Sequence, residues 1–528
     1  MSKPHPRFKV AIVGTGLAGL TASHLLNKED VEVHVFERAS ALGMDSESIT
    51  ITKAEKRVTV PMRSFQGGYY PRLVELYKNI GVTSEETDYT YTFSRLSRRP
   101  TGDEISTRFI YNGASGRNGM SIPSNSQTQL GANRTRWRAL CTWTSNWVYT
   151  LFAGICFLRM VILSIPALRC ANVESMSFNQ WATELRPRSP VSRWLGFDLG
   201  WDLFIEDILI PLFSGVLSCE TKDVLSHPAE EFLDYTWLTF YTHHYIVKNG
   251  VQDVVTRISA NFKHVHLSSS ISAIQRDPDN PLLAQVIVES DSAGPPQVYG
   301  GFHHIIIATT APVAQKILNR YLSSLPTAGD DHPHKAAVER LSTCLGSFRT
   351  CDTIIINHTD GSLLPPDTDD RRELNVVTLD PEYPLTESKE ELTNCVERSC
   401  AMATQILPGF PTDQPVYQTT NPVVPIPEDS ILSVSKIARA LLTQQSKHAL
   451  GGIYVRERVD EQRSWCSLTP WYRSTLGPLQ GAGWRSGGEK ASPSGPGIWV
   501  CGAYACSGIP FLEGCVVSAE LVVEALLE

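Results

Sequence analysis

Three glycines and a carboxylate near the start of the chain have the types and spacing to hold a nucleotide pyrophosphate. Gly14, Gly16 and Gly19 follow the pattern GxGxxG within KVAIVGTGLAGLTASHLLNKEDVEVHVFER, residues 9–38. Gly14 permits a tight turn, Gly16 lets backbone approach the phosphates, and Gly19 lets a helix pack closely on a strand. The unpaired N–H groups at that helix's start and their partial positive charge suit an anion. Glu37 is placed to accept hydrogen bonds from a ribose 2′-hydroxyl, which argues against a 2′-phosphate. The acid does not separate FAD from NAD.

These residues need elements to position them. Val10 to Val13 reads as a strand buried on both faces, Leu17 to Leu26 as a helix and Val31 to Phe36 as a second strand. A matching arrangement closes the chain: the strand Gly497 to Val500 runs into Cys501-Gly502-Ala503, Gly508 to Cys515 forms a loop, and Val516 to Leu527 forms a helix. Its N-terminus can face an anionic ring atom. Between them, Pro71 opens a helix to about Ile80, and Trp201, Phe204, Ile205, Ile208 and Leu212 recur at helical spacing as a core stripe. Phe302 to Ala308 and Cys351 to Asn357 read as strands, and Ser430 to Gln444 as a helix. Nucleotide-binding character recurs far along the chain, so that domain is expected to be assembled from separated segments.

Composition sets outer bounds. The 528 residues exceed one compact core, so two or more domains are expected. A formal net charge of -8 gives no electrostatic reason to expect nucleic acid. The twelve cysteines lack CxxC spacing or histidine partners, so no metal site is expected. The first strand begins too early for a secretory signal, and a cytoplasmic location with reduced thiols is expected. Residues 139–168 are apolar with Arg159 as their one interior charge. Trp147 to Ile165 is long enough to cross a bilayer. A single crossing would put the two chain ends on opposite sides if both build one site. A cavity wall or a helix lying in a membrane face is therefore expected instead. His243 and His244 are a candidate acid/base pair, with surface or core-satisfied histidines the favoured reading, and His358 follows a strand and could reach a substrate cavity.

The two end signatures, GTGLAG with Glu37 and WVCGAYACSGIPFLEGCVVSAELVVEAL, together resemble the flavin-containing amine oxidase, phytoene desaturase and protoporphyrinogen oxidase superfamily. VPMRSFQGGYYPRLVELYKNIGV and HHIIIATTAPVAQKIL are similar to a branch of NAD(P)/FAD-binding oxidoreductases with many fungal members. The resemblance implies an α/β fold. A discontinuous Rossmann-type FAD-binding domain, residues 1–90, 230–315 and 480–528, would join an α+β substrate domain with a mixed sheet and helices, residues 91–229 and 316–479. It implies that Gly14, Thr15, Gly16, Leu17, Ala18 and Gly19 hold the pyrophosphate, with Glu37 and Arg38 at the adenosine ribose. Gly43 and Met44 would lie near the phosphates and ribitol, and Arg63 and Ser64 near the ring. Ile271 would touch the adenine region through its backbone, and Gly502, Leu512 and Glu513 would offer backbone to the flavin. Ala503 stands where many relatives carry a ribitol-binding acid, and no residue matches the lysine that many amine oxidases hold at flavin N5. Phe511, with Trp471 or Tyr472 as its counterpart, is the aromatic candidate at the flavin, and His358 is the candidate acid or base. FAD is expected to be held non-covalently, although Cys466 lies near where some relatives attach it. The activity implied is hydride transfer from a lipophilic small molecule to flavin N5, with O2 or another acceptor reoxidising the flavin, in a setting such as specialised metabolism. Two other readings stay open: a flavin-dependent isomerase or cyclase without net redox, and a binding or membrane-associated protein that kept the fold and lost catalysis.

Overall fold

The computed structural model describes residues 8–51, 56–100, 102–124, 136–289, 295–326, 332–383, 400–458, 472–485 and 493–528. The strand Phe8–Val13 (β1), the helix Leu17–Leu26 (α1) and the strand Val31–Phe36 (β2) follow one another as the apolar pattern requires. Val10, Ala11 and Ile12 are fully buried, which is why this run carries no alternation. A five-stranded parallel sheet has the order His264–His266, β2, β1, His304–Ile307, Gly497–Val500. Its strands come from three separated stretches of chain. The order reverses between β1 and His304–Ile307, and a crevice for ligand is expected at the carboxyl ends of such a pair. The C-terminal helix Leu512–Leu527 packs against α1. Ala18, Ala22, Ala519, Val522 and Val523 meet Val10, Ile12 and Trp499 in one core.

A second, eight-stranded sheet has the order Ile431–Leu441, Arg349–His358, Tyr417–Thr420, Met402–Ile406, Leu374–Leu379, Tyr91–Arg99, Gly102–Tyr111, Met120–Ser121. Only Leu374–Leu379 beside Tyr91–Arg99 is a parallel pair. The helix expected over 430–444 is thus corrected: most of it is the strand Ile431–Leu441, paired along its length with Arg349–His358. Tertiary pairing overrides a segment whose apolar residues suit either period.

Helices cover this half of the molecule. Trp201, Phe204, Ile205 and Ile208 are buried together as expected, while Leu212 is only partly buried and reaches the main cavity. The helix Arg136–Ser164 buries Ala153, Cys156, Met160 and Val161 on one side. Its opposite side leaves Trp147, Val148, Leu151, Ile155, Leu158 and Ile162 exposed. Arg159 does not face solvent alone: its guanidinium lies 4.6 Å from the Trp201 ring centroid and donates to Leu185 O at 2.5 Å. None of the helix's described residues lines the main cavity, so the expectation of a cavity wall is not met.

Candidate functional site

The glycine turn joins β1 to α1 at the sheet's carboxyl edge. Gly14 sits at φ +95, where an added Cβ would meet Ala308 O at 2.9 Å. A Cβ on Gly19 would fall 2.0 Å from Gly14 O, so only glycine lets α1 seat this close to the turn. Gly16 is different: nothing lies within 4 Å of its missing Cβ, and that space belongs to the cavity. Gly16 is also the N-cap of α1 and no side chain caps the helix, so its first N–H groups are left for a ligand.

Glu37 ends β2 and ties the turn together. Thr15 donates from its backbone N at 3.0 Å and from Oγ1 at 2.5 Å to Glu37 Oε2, while Ala39 N donates to Oε1 at 2.9 Å. Thr15 Oγ1 accepts in turn from Gly43 N at 2.7 Å. The carboxylate therefore braces the loop and keeps spare acceptor capacity on Oε1, which receives one donor.

The chain's other end meets the same space. A single cavity of about 1130 Å³ is lined by Gly14 to Ala18, Glu37, Arg38, Gly43, Arg63 and Ser64 from the start of the chain, by Ile271 from its middle, and by Gly502, Ala503, Phe511, Leu512 and Cys515 from its end. Phe511 is the N-cap of the C-terminal helix and provides no side-chain cap, so a second set of helix N–H groups opens there. Glu513 does not line the cavity; its carboxylate accepts from Arg72 N and Leu73 N, each at 2.9 Å, and so caps the helix Pro71–Asn79 (α2). Burial pushes its carboxyl up to about 7 against the pull of those two donors.

Other expectations need correction. Met44 is buried in the core, not on the cavity, because the short turn Gly43–Asp45 points it inward. Gly19 serves packing rather than lining. His358 is fully buried inside the second sheet, with Nε2 2.7 Å from Thr419 Oγ1, and does not reach the cavity. Burial holds it neutral, down to about 4. Trp471 and Cys466 lie outside the described residues, and Tyr472 begins the strand Tyr472–Leu476 without a described side chain.

Several cavity residues carry no motif and were missed. Tyr70, Tyr91 and Tyr235 stand with Phe511 on the wall. The Tyr70 and Phe511 rings lie nearly parallel, 6.3 Å apart, and Tyr235 meets Phe511 at 6.0 Å. Gln66 Nε2 donates to Tyr235 Oη at 2.9 Å and lies 2.5 Å from His244 Nε2, which acts as the acceptor. Burial keeps His244 neutral, with its pKa down to about 4. Its neighbour His243 instead faces Asp88, Nδ1 to Oδ2 at 2.7 Å. Arg439, from the strand Ile431–Leu441, and Gln405 also line the cavity.

Comparison with known proteins places this geometry. A family profile described as an NAD(P)-binding Rossmann-like domain matches residues 12–80. No curated protein matches the sequence. Among solved structures, a protein assigned as a protoporphyrinogen oxidase from Exiguobacterium sp. 255-15 is 12% identical, with 98% of each chain covered and a TM-score of 0.51. An engineered putrescine oxidase is 13% identical, with 98% of each chain covered and a TM-score of 0.50. At these identities the likeness speaks to architecture alone: over nearly its whole length the chain has the fold of these two oxidases.

Proposed function

We propose that this chain is an FAD-dependent oxidoreductase acting on a lipophilic small molecule, with O2 or another acceptor taking the electrons. The observation that carries the reading is the meeting of the N-terminal glycine turn and the C-terminal helix start on one cavity. The residues fit the dinucleotide. Gly16 leaves room where a phosphate must approach, two uncapped helix N-termini supply donors, and Glu37 retains acceptor capacity for a ribose. Bound there, the flavin would supply a hydride acceptor. Gly14 to Ala18 would hold the pyrophosphate, and Leu512 would offer its backbone N–H to the ring.

The rest of the chemistry falls to the cavity wall. Tyr70, Tyr91, Tyr235 and Phe511 would orient a flat apolar body and exclude water from it. Neutral His244, oriented by Gln66, offers a proton-accepting group without a fixed charge. No cysteine among the cavity-lining residues other than Cys515 adjoins this site, and burial pushes Cys515 up to about 11, which favours non-covalent binding. In this reading the five parallel strands and the C-terminal helix form the cofactor domain, and the eight-stranded sheet forms the substrate domain. The helix Arg136–Ser164 would rest its exposed apolar side on a membrane face, where a lipophilic substrate partitions.

Absorption spectroscopy of the purified protein tests the cofactor. Bands at the flavin's visible maxima, or their recovery on adding FAD to stripped protein, are expected; colourless protein that takes up no FAD overturns the reading. Anaerobic addition of a candidate substrate should bleach those bands. Product formed without bleaching would favour the isomerase chemistry.

A further inference from the structure

Two arginines face the cavity without an anionic partner. Arg63 precedes the short strand Ser64–Gln66, and Arg439 enters from Ile431–Leu441, an edge strand of the second sheet. Among the described residues neither side chain makes an ion pair or a hydrogen bond, and Nε of each is buried and unpartnered. The groups whose charge acts on Arg63 are Arg439, Tyr77 and Cys515; those acting on Arg439 are Cys351, Tyr70 and Cys219. No carboxylate is among them. Four other arginines are treated differently: Arg57, Arg95, Arg169 and Arg186 each meet an aspartate.

Enclosing a charge without a partner is costly, and a second of the same sign nearby adds to the cost. Burial, with Arg439 as a second cation, brings Arg63 down to about 10, and burial lowers Arg439 as well; a guanidinium in a protein keeps its charge. The fold holds two fixed forks of donors that only an incoming anion can satisfy. The resemblance gives Arg63 to the flavin ring and assigns Arg439 no role. Arg63 sits in the same half as the glycine turn and near Cys515 of the C-terminal helix, whereas Arg439 stands on the other sheet, beside Tyr70.

We propose that Arg439, with Arg63 beside it, forms a carboxylate-binding subsite, and that the substrate is a carboxylate-bearing molecule with a flat apolar body. The guanidiniums would take the carboxylate, and Tyr70, Tyr91, Tyr235 and Phe511 the body. Calling this ligand the substrate rests on the flavoenzyme reading; the anion subsite itself does not.

Calorimetric titration of the purified protein tests it, with benzoate, benzamide and inorganic phosphate as probes. Benzoate should bind, and benzamide, its uncharged counterpart, about tenfold or more weaker. Arg439→Gln should remove that preference while benzamide still binds, and Arg439→Lys should restore part of it. The wild-type comparison stands alone if the variants do not fold. Equal binding of benzoate and benzamide, no benzoate binding, phosphate binding more tightly than benzoate, or an Arg439→Gln protein that keeps the preference would each overturn the subsite. Colourless protein that still prefers benzoate refutes the flavin reading alone; yellow protein without the preference refutes the subsite alone.

Discussion

Glu37 braces the fold and, in the proposed reading, holds the ligand as well. It satisfies the backbone N–H groups of Thr15 and Ala39 and the Thr15 hydroxyl, which in turn receives Gly43 N. Removing it by Glu37→Ala leaves those donors short of an acceptor, at about 1–3 kcal/mol for each that stays dry. FAD affinity is expected to fall about tenfold or more, and the thermal midpoint with it, as fluorescence titration and calorimetry would read. Unchanged FAD affinity would sink the carboxylate's assignment to the cofactor site. The glycines and Glu37 were legible because their spacing is itself the signal: turn, close approach and carboxylate must occur at fixed offsets. Arg439, Tyr91 and Gln405 were not legible. Each is a single residue on a strand, and only sheet pairing brings it to the cavity.

At the scale of elements, the joint between α2 and the C-terminal helix turns on Glu513, whose carboxylate stands in for an N-cap that Tyr70 does not provide. Burial raises its folded pKa to about 7, above the ordinary carboxyl value of about 4.3. Between those values the folded state binds more protons than the unfolded one, so this group's contribution is full below about 4.3 and is lost as pH rises through about 7. Glu231, also raised to about 7 by burial, acts with the same sign. Glu513→Gln keeps an acceptor for the cap but removes the titration. Its loss of stability between pH 5 and pH 8 is expected to be smaller than wild type's by about 1–3 kcal/mol, measured by denaturant unfolding at both pH values. A variant with the wild-type slope would assign the drift to Glu231 and its neighbours. Element boundaries were readable where a segment had one period and a clear stop, as in α1 and β2. They failed at Ile431–Leu441, where apolar residues on both faces fit a strand and a helix alike. Its partner strand Arg349–His358, far back in the chain, decides the outcome. That misreading also hid Arg439.

For the whole molecule, the chain's beginning and end were each readable as halves of a nucleotide site, but their meeting on one cavity is a tertiary fact. So is the division of labour along Arg136–Ser164. The segment Thr144–Ser164 is long and apolar enough to span a bilayer, yet a third of that window is buried, on the side carrying Ala153, Cys156, Met160 and Val161. Ala153, Cys156 and Met160 pack into the main core, and a helix committed to a core along one side cannot be surrounded by lipid. Its exposed side is a stripe: Leu151 is 62% and Leu158 59% exposed, with Trp147, Ile155 and Ile162 between and beyond them. The helix Phe197–Phe204 packs against it and adds exposed Leu199, while the short helix Pro190–Trp194 before it carries Trp194, 85% exposed, with exposed Arg193 and Arg188 nearby. Apolar side chains rimmed by tryptophan and arginine suit insertion to headgroup depth with the helix lying flat. Cosedimentation with vesicles containing anionic lipid is therefore expected for the wild-type chain. Leu151→Glu with Leu158→Glu should weaken it at least about tenfold, since each leucine is worth about 1.5 kcal/mol or more when buried in lipid. The thermal midpoint and FAD content should hold, because both positions are solvent-facing and neither lines the cavity. Wild-type protein that stays in the supernatant at every vesicle concentration would leave this stripe as solvent-facing surface and remove the membrane from the account.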